Sequence, residues 1–65
     1  MTEEEQVRVL DNVPFRTRIR AVTRTGRAVD LTRGSLGLWI TWDGDEWESD
    51  DIVGHFASWE IVDNG

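Results

Sequence analysis

The clearest pattern in the chain begins at Phe15, where apolar and polar positions alternate with a period of two. Phe15, Thr17, Ile19, Ala21 and Thr23 fall on one side of an extended strand, and Arg16, Arg18, Arg20, Val22 and Arg24 on the other. Thr25-Gly26 reads as a turn, and the segment from Arg27 to Leu31 as the returning strand. Arg33-Gly34-Ser35 makes a second turn. The strand from Leu36 to Trp42 then places Leu36, Leu38, Ile40 and Trp42 together on the inside and Trp39 on the outside. Asp43-Gly44-Asp45 is a hairpin signal, because Asp-Gly readily takes the positive φ angles of a two-residue turn. Whether that loop centres on Asp43-Gly44 or on Gly44-Asp45, Trp47 faces the same way as Ile40 and Trp42. Glu46 and Glu48 then join Trp39.

Simpler signals flank this region. Residues 1–5 carry three glutamates and no apolar residue beyond Met1, which predicts a disordered acidic tip. Val7 to Leu10 is a short β-prone run stopped by Asp11, Asn12 and Pro14. Ser49 followed by Asp50-Asp51 reads as a cap with dipole-favouring acids, opening one short helical turn near residues 50–56. Ser58 to Val62 closes the chain as a strand, with Trp59 and Ile61 directed to the core. Residues 6–63 therefore form a single domain.

Short strands in meander order, with one helical turn before the last, predict an all-β or mostly β domain. The expected architecture is a small five-stranded antiparallel barrel. Over roughly residues 7–63 this order of elements resembles SH3-like and Tudor-like barrels, which implies a small binding module. The chain has no Tyr, and so lacks the Tyr-rich groove of the proline-binding members.

Composition narrows the chemistry. Sixty-five residues with 25 apolar side chains, four of them Trp, build one small core with little margin. The absence of Cys excludes disulfides and thiolate metal sites, and a lone His55 excludes a multi-His centre. No apolar run approaches the roughly 18 residues that span a bilayer. The acidic start lacks the charge of a targeting peptide, so a cytoplasmic location is expected. All seven basic residues are Arg and the net charge is −6. Arg without Lys matches the codon bias of a GC-rich genome, and excess acid matches a halophilic source.

Two constellations are candidates for binding. Arg16, Arg18, Arg20 and Arg24 project from one strand face beside the outward Trp39. From Asn12 to Arg33 there are six Arg against one Asp. Arginines with an aromatic form a surface that engages a protein partner, a second copy or, alternatively, nucleic-acid phosphates and bases. The competing reading is internal pairing of those arginines with Glu46 and Glu48 across the strands. The second constellation is the acidic patch Asp43, Asp45, Glu46 and Glu48. It lacks the Gly and closing Glu of an EF-hand loop, and so reads as a solvated hairpin or as part of an acidic phage-type inhibitor or nucleic-acid mimic. Asp30 to Ser35, preceded by Arg16 and Arg20, distantly resembles the paired cyclic-di-GMP motifs of PilZ domains. Thr32 and Ser35 depart from that pattern. Ser49, His55 and Ser58 have no catalytic context, and no phosphate-binding glycine loop, metal site or cofactor motif is present. The expectation is a non-enzymatic interaction module.

Overall fold

The computed structural model describes residues 1–64. Its elements in chain order are α1 (Glu3–Asp11), β1 (Arg18–Val22), β2 (Ala28–Arg33), β3 (Trp39–Thr41), β4 (Glu46–Trp47), α2 (Ser49–His55) and β5 (Ser58–Asp63). The five strands form one antiparallel sheet in the order β4-β3-β2-β1-β5. The chain is thus mostly β, as the alternation predicted. The sheet is open, however, with β4 and β5 as its two edges, and the expected barrel closure is not formed.

Three hairpins of one design build the meander. Thr23 N donates to Arg27 O, Gly34 N to Leu38 O, and Thr41 N to Asp45 O, at 2.7–2.9 Å. Each pair encloses three residues, and the third is always glycine: Gly26, Gly37 and Gly44, with φ of 90°, 82° and 96°. This is a type I turn followed by a left-handed residue, a conformation glycine adopts without steric cost. In the first and third loops the Thr hydroxyl also accepts the closing amide, from Arg27 and Asp45, at 3.0 Å.

A three-residue loop pairs residues i and i+4, so partners share parity. Leu31 pairs with both Ile19 and Thr41, Arg33 with Trp39, and Trp39 with Trp47. Odd-numbered positions therefore face one way from Thr17 to Trp47. The expected inward set of Leu36, Leu38, Ile40 and Trp42 does not form: β3 is only Trp39–Thr41, Leu36 and Trp42 lie in the hairpin loops, and Ile40 faces outward. Trp39 is 0% exposed and Trp42 95% exposed. The face of β3 is set by the two loops before it, which enclose three residues each and keep odd positions on one side; a loop at Asp43-Gly44 decides only the face of Trp47. Trp47 is half-buried against the core as expected, but beside Trp39 and not Trp42.

Both helices cover the odd face. The core consists of Leu10, Ile19, Ala21, Leu31, Trp39, Ile52 and Phe56, with Val13, Val29, Trp47, Val53 and Trp59 packed around it. Residues 3–11, expected as an acidic tip and a β-prone run, form a helix. Thr2 caps it, its hydroxyl accepting from Glu5 N at 3.2 Å and donating to the Glu5 carboxylate at 3.1 Å. Gln6 and Leu10 then lie on the buried side, and Gln6 accepts from Trp59 Nε1 at 2.9 Å. The helical turn expected near 50–56 is present as α2, but its N-cap is Glu48 and not Ser49. Ser49 is buried and its hydroxyl accepts from Trp39 Nε1 at 3.1 Å. Trp59 is half-buried, while Ile61 on the edge strand stays exposed.

Arg33 ties the two layers together. Its side chain lies 5.5 Å from the Trp39 ring centre and donates to Asp11 O at 3.1 Å and to Ser49 Oγ at 3.5 Å. It therefore joins β2 to the end of α1, where a helix leaves unpaired carbonyls, and to the first side chain of α2.

Two measurements test this packing. Trp39→Ala should cost about 3–5 kcal/mol in chemical denaturation, whereas Trp42→Ala should stay within about 0.5 kcal/mol of the parent. Equal losses would mean the parity is wrong. Thr17 Oγ1 is buried with no hydrogen-bond partner, so Thr17→Val should be neutral or stabilising by about 1 kcal/mol. A clear loss would reveal a bond the hydroxyl makes in solution.

Candidate interaction face

Because both helices pack on the odd face, the even face of the sheet has no protein layer over it. Across its middle runs the row Arg18, Thr32, Ile40, Glu46, one residue from each of β1 to β4. The adjacent row holds Glu60, Arg20 and Asp30. Phe15 and Arg16 border the face before β1, and Trp42 borders it after β3. Phe15 is 55% exposed and Ile40 36%. Together they line a hollow of about 550 Å³ with Arg16, Arg18, Thr32, Gly34 and Trp42. Gly34 belongs there because an added Cβ would meet Ile40 Cδ1 at 2.9 Å.

Arg16 sits in a backbone conformation normally left to glycine, with φ of 76°. Arg16 N donates to Arg33 O at 3.0 Å, and Arg33 N donates to Thr17 O at 2.8 Å, so two residues of this chain segment face one of β2. That is a bulge at the entry to β1. A left-handed L-residue costs roughly 1–2 kcal/mol. The bulge aims the Arg16 guanidinium over the Phe15 ring, 5.3 Å from its centre.

The predicted site residues divide as follows. Arg16, Arg18 and Arg20 share the even face. Arg18 pairs with Asp63 at 3.3 Å and Arg20 with Asp30 at 3.0 Å, exposed pairs worth about 0–1 kcal/mol each. The expected partners Glu46 and Glu48 are not used. Among the described residues Arg16 and Glu46 have no ion pair. Arg24 lies in the first hairpin loop and donates to Gly54 O at 3.1 Å, away from the others. Trp39 is on the opposite side of the sheet, so the face built from it does not exist. Trp42, Phe15 and Ile40 are the apolar residues found there instead. Their place follows from the loop length, three residues in each hairpin, which the glycine alone does not specify.

The acidic patch is also dispersed. Glu46 belongs to the even face and Glu48 caps α2, while Asp43 and Asp45 border a second hollow. That hollow, about 440 Å³, opens between the sheet and the end of α2 and is floored by Val29, Thr41, Trp47 and Phe56. The Thr41 hydroxyl donates to the Asp43 carboxylate, and this bond holds Asp43 below the ordinary carboxylate value of 3.8. Glu48, Asp50 and Asp51 bring carboxylate oxygens within 4.8 Å of one another, all exposed at the start of α2. With no buried or neutral donor among them, they form a solvated helix start. His55 is exposed and packs on Trp47 at 5.0 Å. The Ser49 hydroxyl is engaged by Trp39 and Arg33, which leaves no hydroxyl–imidazole pairing there.

Among the described residues, no helix is long and apolar enough to cross a membrane. Comparison with protein-family models, curated proteins and solved structures found no match.

Two variants probe the strain and the hairpin. Arg16→Gly should leave stability unchanged or raise it by about 1 kcal/mol, since relief of the left-handed cost outweighs the entropy of glycine. A loss of more than that would show the guanidinium to be structural. Because its folded-state value is lowered, ionised Asp43 favours the folded state above its ordinary pKa, and that contribution disappears as pH falls below 3.8. Thr41→Val should move the NMR titration of Asp43 back up toward 3.8; an unmoved curve would remove Thr41 as the cause.

Proposed function

We propose that the chain is a non-catalytic protein-interaction module working through the uncovered even face of its sheet. The observation that carries this reading is Trp42, 95% exposed and lining one hollow with Phe15 and Ile40 in a domain with so few apolar residues to spare. Contiguous exposed aromatics rimmed by charge are what binding surfaces present, and Trp and Arg are the side chains most enriched at their energetic centres. Trp42 takes the role that the alternation alone assigned to Trp39. Arg16, among the described residues an arginine of this face without an ion pair, flanks it at the cost of a strained backbone.

Electrostatics argue against nucleic acid as the occupant. Asp30, Glu46 and Glu60 share the face with Arg18 and Arg20, two of the arginines are already paired, and the chain carries −6 overall. Phosphates would meet about as much repulsion as attraction.

A photoreactive phenylalanine analogue placed at position 42 should form covalent adducts in cells expressing the protein. The same analogue at Glu4, on α1, should form none. Equal labelling at both positions, or none at 42, would overturn the reading. Oligonucleotides, single-stranded or duplex, should show no binding at low salt; affinity that weakens steeply as salt rises would favour the nucleic-acid reading instead.

A further inference from the structure

We infer that the partner on this face is a second copy of the same chain, packed sheet to sheet about a two-fold axis. This rests on reading the even face as an interaction surface and adds the identity of the occupant. A two-fold interface requires a patch complementary to itself. The even face meets that requirement in shape, in charge and in area.

In shape, the fully exposed Trp42 stands at the rim of the hollow formed by Phe15, Arg16, Arg18, Thr32 and Ile40. Each copy therefore offers one indole and one recess bordered by an aromatic ring and guanidinium groups. In charge, the row across the sheet is basic at one end and acidic at the other: Arg18, with Arg16 beside it, then Thr32, Ile40 and Glu46. Strands lie about 4.8 Å apart, so the row's charged ends are separated by about 14 Å. A two-fold axis lying in the face, along the strands and between β2 and β3, reverses the row. The second copy then sets its Glu46 over Arg16 and Arg18 of the first, and receives the reciprocal contact. Among the described residues Arg16, Glu46 and Glu60 are the charges of this face without an ion pair, and Arg16 and Glu46 stand at opposite ends of the row. The face is close to neutral, with Arg16, Arg18 and Arg20 against Asp30, Glu46 and Glu60, although the whole chain carries −6. A uniformly acidic or basic partner would match it poorly. In area, a stable interface needs about 800 Å² per copy, under a fifth of the 4479 Å² surface, and a single Trp supplies roughly 150–250 Å².

The test is sedimentation equilibrium of the purified chain from micromolar to millimolar concentration. The expected species has twice the 7.5 kDa chain mass. Its dissociation constant should fall as salt rises, because screening removes repulsion between two copies of −6. Trp42→Ala should weaken association about 30-fold or more, with its circular dichroism unchanged. Arg16→Glu and Glu46→Arg should each be monomeric alone, since each homodimer sets like charges together. Mixed one to one, they should form a heterodimer in which both contacts are restored. Glu4→Arg, which changes charge equally on the helical side, should dimerise like the parent. A parent chain that stays monomeric at millimolar concentration in high salt would overturn the inference, as would single charge variants that associate like the parent. In that event, adducts from position 42 to a different protein would keep the interaction-module reading intact, and their absence would remove both.

Discussion

The architecture depends on loop length. Every hairpin in the meander encloses three residues and ends on a glycine held near φ 90°. An odd loop preserves parity from strand to strand, so the alternation beginning at Thr17 continues to Trp47. A two-residue turn at any of these places would send every later side chain to the other face. At either of the first two hairpins it would leave Trp39 in water and Ile40 in the core. The glycine that makes the left-handed step affordable is thus what decides which indole the domain is built around.

Once Trp39 is inside, the rest of the core organises around it. Its indole nitrogen donates to Ser49, the Arg33 guanidinium lies over its ring, and Arg33 reaches on to the end of α1. Four elements, β2, β3, α1 and α2, meet in that group. A domain of this size has few apolar residues for long-range contacts, so a charged side chain spanning sheet and helices contributes packing as well as hydrogen bonds. Both helices are drawn to the same side. One layer of helix on one face of an antiparallel sheet leaves the other face to solvent.

The proposed interaction face follows from that asymmetry. The exposed face carries polar and charged residues at most even positions, as a solvated sheet should. Phe15, Ile40 and Trp42 interrupt it along one hollow, which is bordered by an arginine in a strained bulge. Stability explains none of these choices: an exposed Trp adds little to the fold, and glycine would relax the bulge. Charges along the row from Arg18 to Glu46 run from positive to negative, which gives the face a direction and limits what it fits.

The sequence by itself determined the strands at β1 and β2, the first and third turns, the short helix before the last strand and the mostly β character. These are carried by local patterns: period-two alternation, glycine after a polar residue, and acids at a helix start. It also marked Arg16, Arg18 and Arg20 as neighbours on one face, because parity within a single strand needs no outside information. The sequence also contained α1, in the Thr2-x-x-Glu5 capping signature, but the apolar run at Val7 to Leu10 obscured it. Tertiary structure alone decided the open sheet, the side taken by the helices and the exchange of Trp39 for Trp42. Those outcomes depend on register across hairpins, where one residue of loop length inverts a face, and on contacts such as Trp39 with Ser49 that no local pattern encodes.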